Sequence, residues 1–418
     1  MWWAAILSSS EIEAARGLLS AAAVRERAHE MLVIGVEGGL DHWRVDLDRL
    51  PAVAAYVAAV VREQYPTLDV PFHARWRHFV LGGVDLWRPV AEARAWPDAA
   101  TRARTEFDLA MVSVLLDAGS GPDWAWRDAA TGRILTRSEG LAVASLRMFQ
   151  AGAFSSTPDD PWRVDAVALT LLGADDLARG FQVTDNNPLV GLEGRAALLR
   201  RLGRQCLSQP DLFETEDTPR PGGLADLLIA RAVDGRLPAP AILDLLLEAL
   251  GPVWQDRLTL GDVDLGDCWR HPAMRRDDAT DGLVPIHKLS QWLSYSLVEP
   301  LQAAGVEVID LDGLTGLAEY RNGGLFMDLG VLNLRDPADA EQHWPVDHPL
   351  VVGWRAMTVA LLDRIAPLVR TELGVDADRL PLASVLEGGT WAAGRRAATA
   401  ARTGGGPPLT IVSDGTVF

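Results

Sequence analysis

Residues 287–332 read HKLSQWLSYSLVEPLQAAGVEVIDLDGLTGLAEYRNGGLFMDLGVL. Leu289, Trp292, Leu293, Leu297 and Leu301 recur at three- and four-residue intervals, which predicts a helix over 286–304. GVEVIDLD (305–312) reads as a short strand, and the apolar spacing resumes as a second helix over 316–330. If the two helices pack antiparallel, this helix–link–helix unit brings Lys288, near the start of the first, and Glu319-Tyr320-Arg321 to one cleft. Lys288 is the only lysine in the chain, every other one of the 39 basic residues being arginine. A compact ammonium with swivelling donors is not interchangeable with a planar guanidinium, so a solitary lysine marks either chance or a site.

The same periodicity runs outward in both directions. Helices are expected over 11–24, 51–65, 101–119, 138–152, 191–207, 222–233, 238–254, 349–373 and 389–402. Ser138 with Glu139, and Pro238 with Pro240, read as helix starts. Strands are few and short: 30–37, 305–312 and 409–418, with a small hairpin over 128–138. Strand–helix alternation does not repeat, so the expectation is a mainly α, two-lobed fold, one functional unit of 1–418 with lobes 1–210 and 222–418. The stretch 208–223 reads as a linker, and 262–282 as a lid or binding loop.

Composition excludes several functions. Apolar residues make up 48% of the 418, an ordinary globular content. No apolar run reaches about 18 residues, so no membrane helix is expected, and without a basic export signal at the start the default is a cytoplasmic protein. Only Cys206 and Cys268 are present and they form no C-x-x-C pair, so no disulfide framework or cysteine zinc site is expected. Net charge is −18, with no basic stripe, which argues against a nucleic-acid polymer as ligand. His73/His78 and His343/His348 are each five apart and do not stack on one helical face, so no metal is expected, nor any other cofactor. GGTWAAGRR (388–396) has P-loop spacing, but Arg395 and Arg396 stand where a Lys-Ser/Thr pair is needed. Gly388, Gly389 and Thr390 still read as a helix N-terminus, a setting that favours an anion.

Lys288 with Gln291, then Thr315, Glu319-Tyr320-Arg321 and LGVL (329–332), resemble the queuosine-nucleotide salvage N-glycosidases. That resemblance implies a helical fold akin to helix-hairpin-helix DNA glycosylases, and hydrolysis of an N-ribosidic bond by the lysine and the acidic residue. The chain departs from that family in having Glu319 for Asp, and Asn322-Gly323-Gly324 for a Val-Pro-Gln-like run. The base pocket must therefore differ, and queuine is not the expected group. RWRHFVLGGVDLW (75–87), TRSEGLAVASLRMFQAGAFS (136–155), NPLVGLEGRAALLRRLG (187–203), HPLVVGWRAMTVALLDRI (348–365), LEGGTWAAGR (386–395) and SDGTVF (413–418) are similar to the Urc4-type uracil-catabolism family. That family belongs to a pyrimidine degradation route ending in urea. A route that leaves urea attached to ribose needs a step that cuts a ribosyl–N bond.

The expected activity is an N-ribosyl hydrolase acting on ribosylurea, its 5′-phosphate or a related uracil-derived nucleotide. Such hydrolysis passes through an oxocarbenium-like state with charge at C1′. Glu319 is the candidate carboxylate, to stabilise that charge, form a covalent adduct or activate water. Lys288 would bind the carboxylate or a 5′-phosphate, or help shed the leaving group. Arg321 and Tyr320 are candidate ribose or phosphate ligands, with Asp328 and Asp312 orienting water or a hydroxyl. Arg77, His78, Glu387, Arg395 and Asp414 are candidates for the leaving-group or phosphate pocket. Each has a plainer reading: Glu319–Arg321 as a surface ion pair, Asp310 and Asp312 as turn residues, His78 as a core histidine, Asp414-Gly415 as a turn. The competing function is a non-catalytic helical partner of the pathway's ring-opening enzyme. The other uracil-catabolism enzymes are the expected protein partners.

Overall fold

The structure is a computed structural model that describes residues 2–215, 218–254 and 257–412. Helices dominate. In chain order the principal ones are α1 (Trp2–Gly17), α2 (Ala21–Val36), α3 (Leu50–Gln64), α4 (Ala99–Leu115), α5 (Arg137–Gln150), α6 (Leu192–Ser208), α7 (Ala239–Leu250), α8 (Lys288–Ala303), α9 (Tyr320–Asp328), α10 (Pro349–Leu373) and α11 (Ala392–Ala401). The described strands are short and pair only in twos. The fold is mainly α. No helix among the described residues is long and apolar enough to cross a membrane.

The chain divides into two compact units, discontinuous in sequence: Met1–His73 with Asp256–Gln291 and Asp310–Val412, and Ala74–Gln255 with Trp292–Ile309. The lobes expected at 1–210 and 222–418 are contiguous segments; these units are not. Helix α8 gives its first turn to the first unit and the rest to the second.

In the first unit, α10 packs against α2 and α3. Every residue from Leu350 to Leu362 is buried, the mark of a helix enclosed on all sides. Gly35 lets α2 approach closely: a Cβ there would meet Met357 Sδ and Val45 Cγ2 at 3.0 Å. Trp43–Val45 pairs antiparallel with Leu332–Leu334, and Cys268–Arg270 with Leu283–Pro285. Ala15, Leu18, Leu265, Cys268 and Leu283 form one buried apolar cluster. Burial pushes the Cys268 thiol up to about 12, so it is an inert core residue.

The second unit is built around α4, α5 and α6. Arg75 is fully buried, paired with Asp117 at 3.1 Å and hydrogen-bonded to Ser113 at 2.6 Å. Asp108 is likewise buried and takes Arg220 Nε at 2.9 Å, Val164 N at 2.8 Å and Gly222 N at 2.6 Å.

Several sequence expectations change. The stretch 30–37, read as a strand, is the last half of α2, whose buried Val24, Ala28, Met31, Leu32 and Gly35 follow the helical period. The strand preference of Val33 and Val36, both exposed, yields to the packing of the helix's buried face against α10. Helix 11–24 is two helices, broken at 18–20, where Ser20 caps α2 through Ala23 N at 3.2 Å. Ser138 is the second residue of α5 rather than its cap, and bonds Asp117 at 2.7 Å. The 208–223 stretch is no linker: Arg220 and Gly222 are pinned on Asp108. Gly388, Gly389 and Thr390 are not a helix N-terminus. They lie inside a continuous helical run from Leu382 to Ala401, whose middle, Val385–Trp391, is a π-helix. Their glycines serve close packing instead, since a Cβ on Gly388 would meet Val70 Cγ1 at 2.7 Å and one on Gly389 would meet Val57 Cγ1 at 2.9 Å.

Candidate active site

The segment read as a lid, 262–282, carries the residue that sets the site's frame. Asp267 O accepts from Ile286 N at 2.9 Å and His287 N at 3.1 Å. Its carboxylate accepts from Lys288 N at 2.9 Å, from Arg355 NH1 and NH2 at 2.8 Å each, and from Trp269 Nε1 at 2.6 Å. One residue thus caps α8 from 21 positions away and ties it to α10. Burial alone would raise the Asp267 carboxyl, but Arg355, Trp269 and the Lys288 N–H outweigh it and hold it well below the usual carboxylate range. His287, at the entrance to α8, has φ +48° and is fully buried, its Nε2 3.1 Å from Leu18 O. A left-handed histidine is a costly conformation held by its surroundings. It turns the chain so that the half-buried Lys288 opens the helix.

One turn on, Gln291 Oε1 accepts from Thr315 N at 3.3 Å. Positions i and i+3 share a helix face, so this bond joins the Lys288 side of α8 to the segment leading to Glu319. Residues 315–319 are not helical, contrary to the helix expected from 316. Gly316 sits under Leu362, where a Cβ would meet Leu362 Cβ at 2.5 Å. Glu319 is then the N-cap of α9. Its Oε2 accepts from Arg321 N at 2.9 Å and its Oε1 from Asn322 N at 2.6 Å. Shorter Ser, Thr, Asp and Asn side chains are the usual caps, so glutamate here is a departure from habit. The side chain is half-buried, and each oxygen keeps a second lone pair. Asn322 Nδ2 donates to Leu317 O at 3.1 Å, closing the turn.

The surface ion pair considered for Glu319 and Arg321 does not form. The Arg321 guanidinium lies over the Tyr320 ring at 4.8 Å and the Trp391 ring at 4.7 Å. Among the described residues it has no carboxylate partner and donates no side-chain hydrogen bond. Contact with the two rings uses none of the cation's N–H donors, which remain for an anion. The Arg321 carbonyl is met by α11 at Gly394, where a Cβ would come within 2.2 Å. The π-helix supplies Trp391 and Glu387. His73 Nδ1 is 2.6 Å from Glu387 Oε2, and the His73 ring is 5.9 Å from that of Trp391. Short π-helical insertions recur at functional sites because they re-aim side chains.

The first unit thus joins Lys288, Glu319, Tyr320, Arg321 and Glu387 to one connected set of elements, and adds Asp267, Gln291, Asn322, His73, Trp354, Arg355 and Trp391. Arg395 is exposed on α11, its guanidinium 5.7 Å from the Trp391 ring. Other candidates have structural partners. Asp328 is held by Arg402 at 2.5 and 2.7 Å, a brace between the ends of α9 and α11. Asp312 takes Arg370 NH2 and Leu382 N, both at 2.6 Å. It lines a separate cleft of about 280 Å³ with Arg25, His29, Asp363 and Arg370. Arg77 and His78 belong to the second unit. Arg77 pairs with Glu299 at 2.7 Å, and His78 lies 3.2 Å from Arg75 NH1 and edge-on to Trp292 at 5.6 Å. Asp414 lies outside the described residues. Among the described residues no three His, Cys, Asp or Glu side chains are grouped to hold a metal.

Comparison with known proteins gives a family. The family model described as "Protein of unknown function (DUF1688)" matches residues 17–418. "Protein urg3" of Schizosaccharomyces pombe is 38% identical over 414 residues, spanning 96% of this chain and 98% of that protein. "Uracil catabolism protein 4" of Lachancea kluyveri is 36% identical over 416 residues, 91% of this chain and 93% of that one.

Proposed function

The chain belongs to the DUF1688 family, and from that premise we propose that it acts in uracil catabolism as an N-ribosyl hydrolase that releases urea from ribosylurea or its 5′-phosphate. The printed name of the Lachancea kluyveri relative supports the pathway. The observation that carries the chemistry is the Glu319 carboxylate, fixed by two backbone N–H groups and half-exposed, with lone pairs remaining. A carboxylate locked against rotation loses little entropy when it meets a developing cation.

In this reading Glu319 faces C1′ as the C–N bond breaks and stabilises the oxocarbenium-like charge. Water then adds to C1′, which yields ribose or its 5-phosphate and urea once the departing nitrogen has taken up a proton. Arg321 binds the 5′-phosphate through its N–H donors, the Tyr320 and Trp391 rings lying against the cation. Lys288, at the start of α8, donates to the leaving group or to the phosphate. His73, oriented by Glu387, belongs to the same set of elements.

The test is urea release from 5-phosphoribosylurea by purified protein. Release that depends on Glu319 supports the hydrolase. A folded protein that co-purifies with the ring-opening enzyme and leaves the compound intact supports the non-catalytic partner instead.

A further inference from the structure

Three buried polar side-chain atoms near Glu319 have no hydrogen-bond partner among the described residues: Gln291 Nε2, Asn322 Oδ1 and Trp354 Nε1. Gln291 and Asn322 are 0% exposed and Trp354 2%. Buried polar atoms are overwhelmingly paired in folded proteins, and an unpaired one costs about 1–3 kcal/mol. Three around one short segment therefore point to something that pairs with them.

Their chemical sense is fixed by the backbone. Gln291 must turn its oxygen to the Thr315 N–H, because an NH₂ facing an N–H would set donor against donor. The free end of that amide is consequently a donor. Asn322 must turn its NH₂ to the Leu317 carbonyl, so its free end is an acceptor. The anchors, Thr315 and Leu317, are two residues apart, at most about 7 Å along the chain. Trp354 adds a second donor: its Nε1 is 2.8 Å from where a Cβ on Gly323 would sit, and Gly323 follows Asn322. Only glycine admits the indole there.

We propose that Gln291, Asn322 and Trp354 form the subsite for a planar group with a carbonyl beside an N–H, the pattern of a ureido group. Gln291 Nε2 and Trp354 Nε1 donate to the two lone pairs of its carbonyl oxygen, and its N–H donates to Asn322 Oδ1. This deepens the hydrolase reading and rests on it for the identity of the group on C1′. A pyrimidine ring imide carries the same pairing, so the two sources are separated by probe.

The experiment is calorimetric titration of the full chain carrying Glu319→Gln, so that the probes survive. The probes are 5-phosphoribosylurea, uridine 5′-monophosphate and ribose 5-phosphate, the last lacking the amide pattern. The expected result is binding of 5-phosphoribosylurea at least about tenfold tighter than ribose 5-phosphate. Adding Gln291→Met removes that gain and leaves ribose 5-phosphate affinity unchanged. Where Gln291→Met does not fold, Trp354→Phe, which deletes the indole N–H, carries the same test. A gain shared by uridine 5′-monophosphate assigns the ring imide as well; a gain confined to 5-phosphoribosylurea assigns the open-chain ureido group. Equal affinity for all three probes overturns the subsite, as does a variant that weakens ribose 5-phosphate as much as 5-phosphoribosylurea. Preferential binding without urea release by the unmutated protein would sink the hydrolase and leave the subsite standing.

Discussion

Two carboxylates cap the two helices that carry the candidate site, and they are used differently. Asp267, its side chain 14% exposed, receives four hydrogen bonds on its carboxylate, two of them from Arg355. Glu319 receives two, both from backbone N–H groups, and stays partly open. Asp267 is saturated by protein and serves as scaffold. Glu319 is held but unsaturated, the condition a reacting carboxylate needs. The same substitution, acid to amide, should therefore give opposite profiles at the two caps.

The largest stability effect is expected at Asp267. Asp267→Asn leaves the buried Arg355 without its counter-charge and should cost about 3–5 kcal/mol, read by chemical denaturation. A loss below about 1 kcal/mol would break the distinction between the caps. Next comes substrate affinity at the stacked cation. Arg321→Met keeps apolar bulk between Tyr320 and Trp391 but removes the fork, and should raise KM for 5-phosphoribosylurea by about 10–100-fold while leaving KM for unphosphorylated ribosylurea nearly unchanged. An equal rise for both would move the phosphate elsewhere.

Acid separates the scaffold from its surroundings. Burial lowers His271 to about 4 from 6.5, so the unfolded chain binds its proton first. The stability tied to neutral His271 is complete above pH 6.5 and falls as pH drops toward 4, by about 2 kcal/mol at pH 5. His271→Gln should flatten that limb. Asp267 acts lower: its folded value is depressed, so its contribution holds above 3.8 and is lost as pH falls below that. Both limbs are read by thermal melting across pH, and an acid limb below pH 3.8 that Asp267→Asn leaves unaltered would contradict the scaffold role. The smallest effect is the cap at Glu319 itself. Glu319→Gln keeps one acceptor for the first turn of α9 and should cost only about 1 kcal/mol of stability.

Much of this was legible in residue order. The apolar spacing marked α10 at its observed bounds, 349–373, and the start of α8 within two residues. The solitary Lys288 and the Glu319-Tyr320-Arg321 triplet pointed to the elements that carry the candidate site. What was hidden was mostly long-range. Asp267 reaches Lys288 across 21 positions and Arg355 across 88, and no local pattern signals either bond. The β-branched run in α2 looked like a strand until α10 was packed against it. The GGT of the π-helix resembled a phosphate loop because glycine serves both close packing and anion approach, and sequence does not separate the two. Glu319 read as a catalytic carboxylate or half of an ion pair. Its capping bonds are a local feature that the preference for shorter caps conceals.

The central claim is that Glu319 is held for chemistry and not merely for the helix. Urea release from 5-phosphoribosylurea, measured side by side for the unmutated protein and Glu319→Gln, tests it most directly. The former is expected to release urea, at a rate about 10³-fold above that of a variant that remains folded. A folded parent that releases no urea, or a variant that matches its rate, would contradict it.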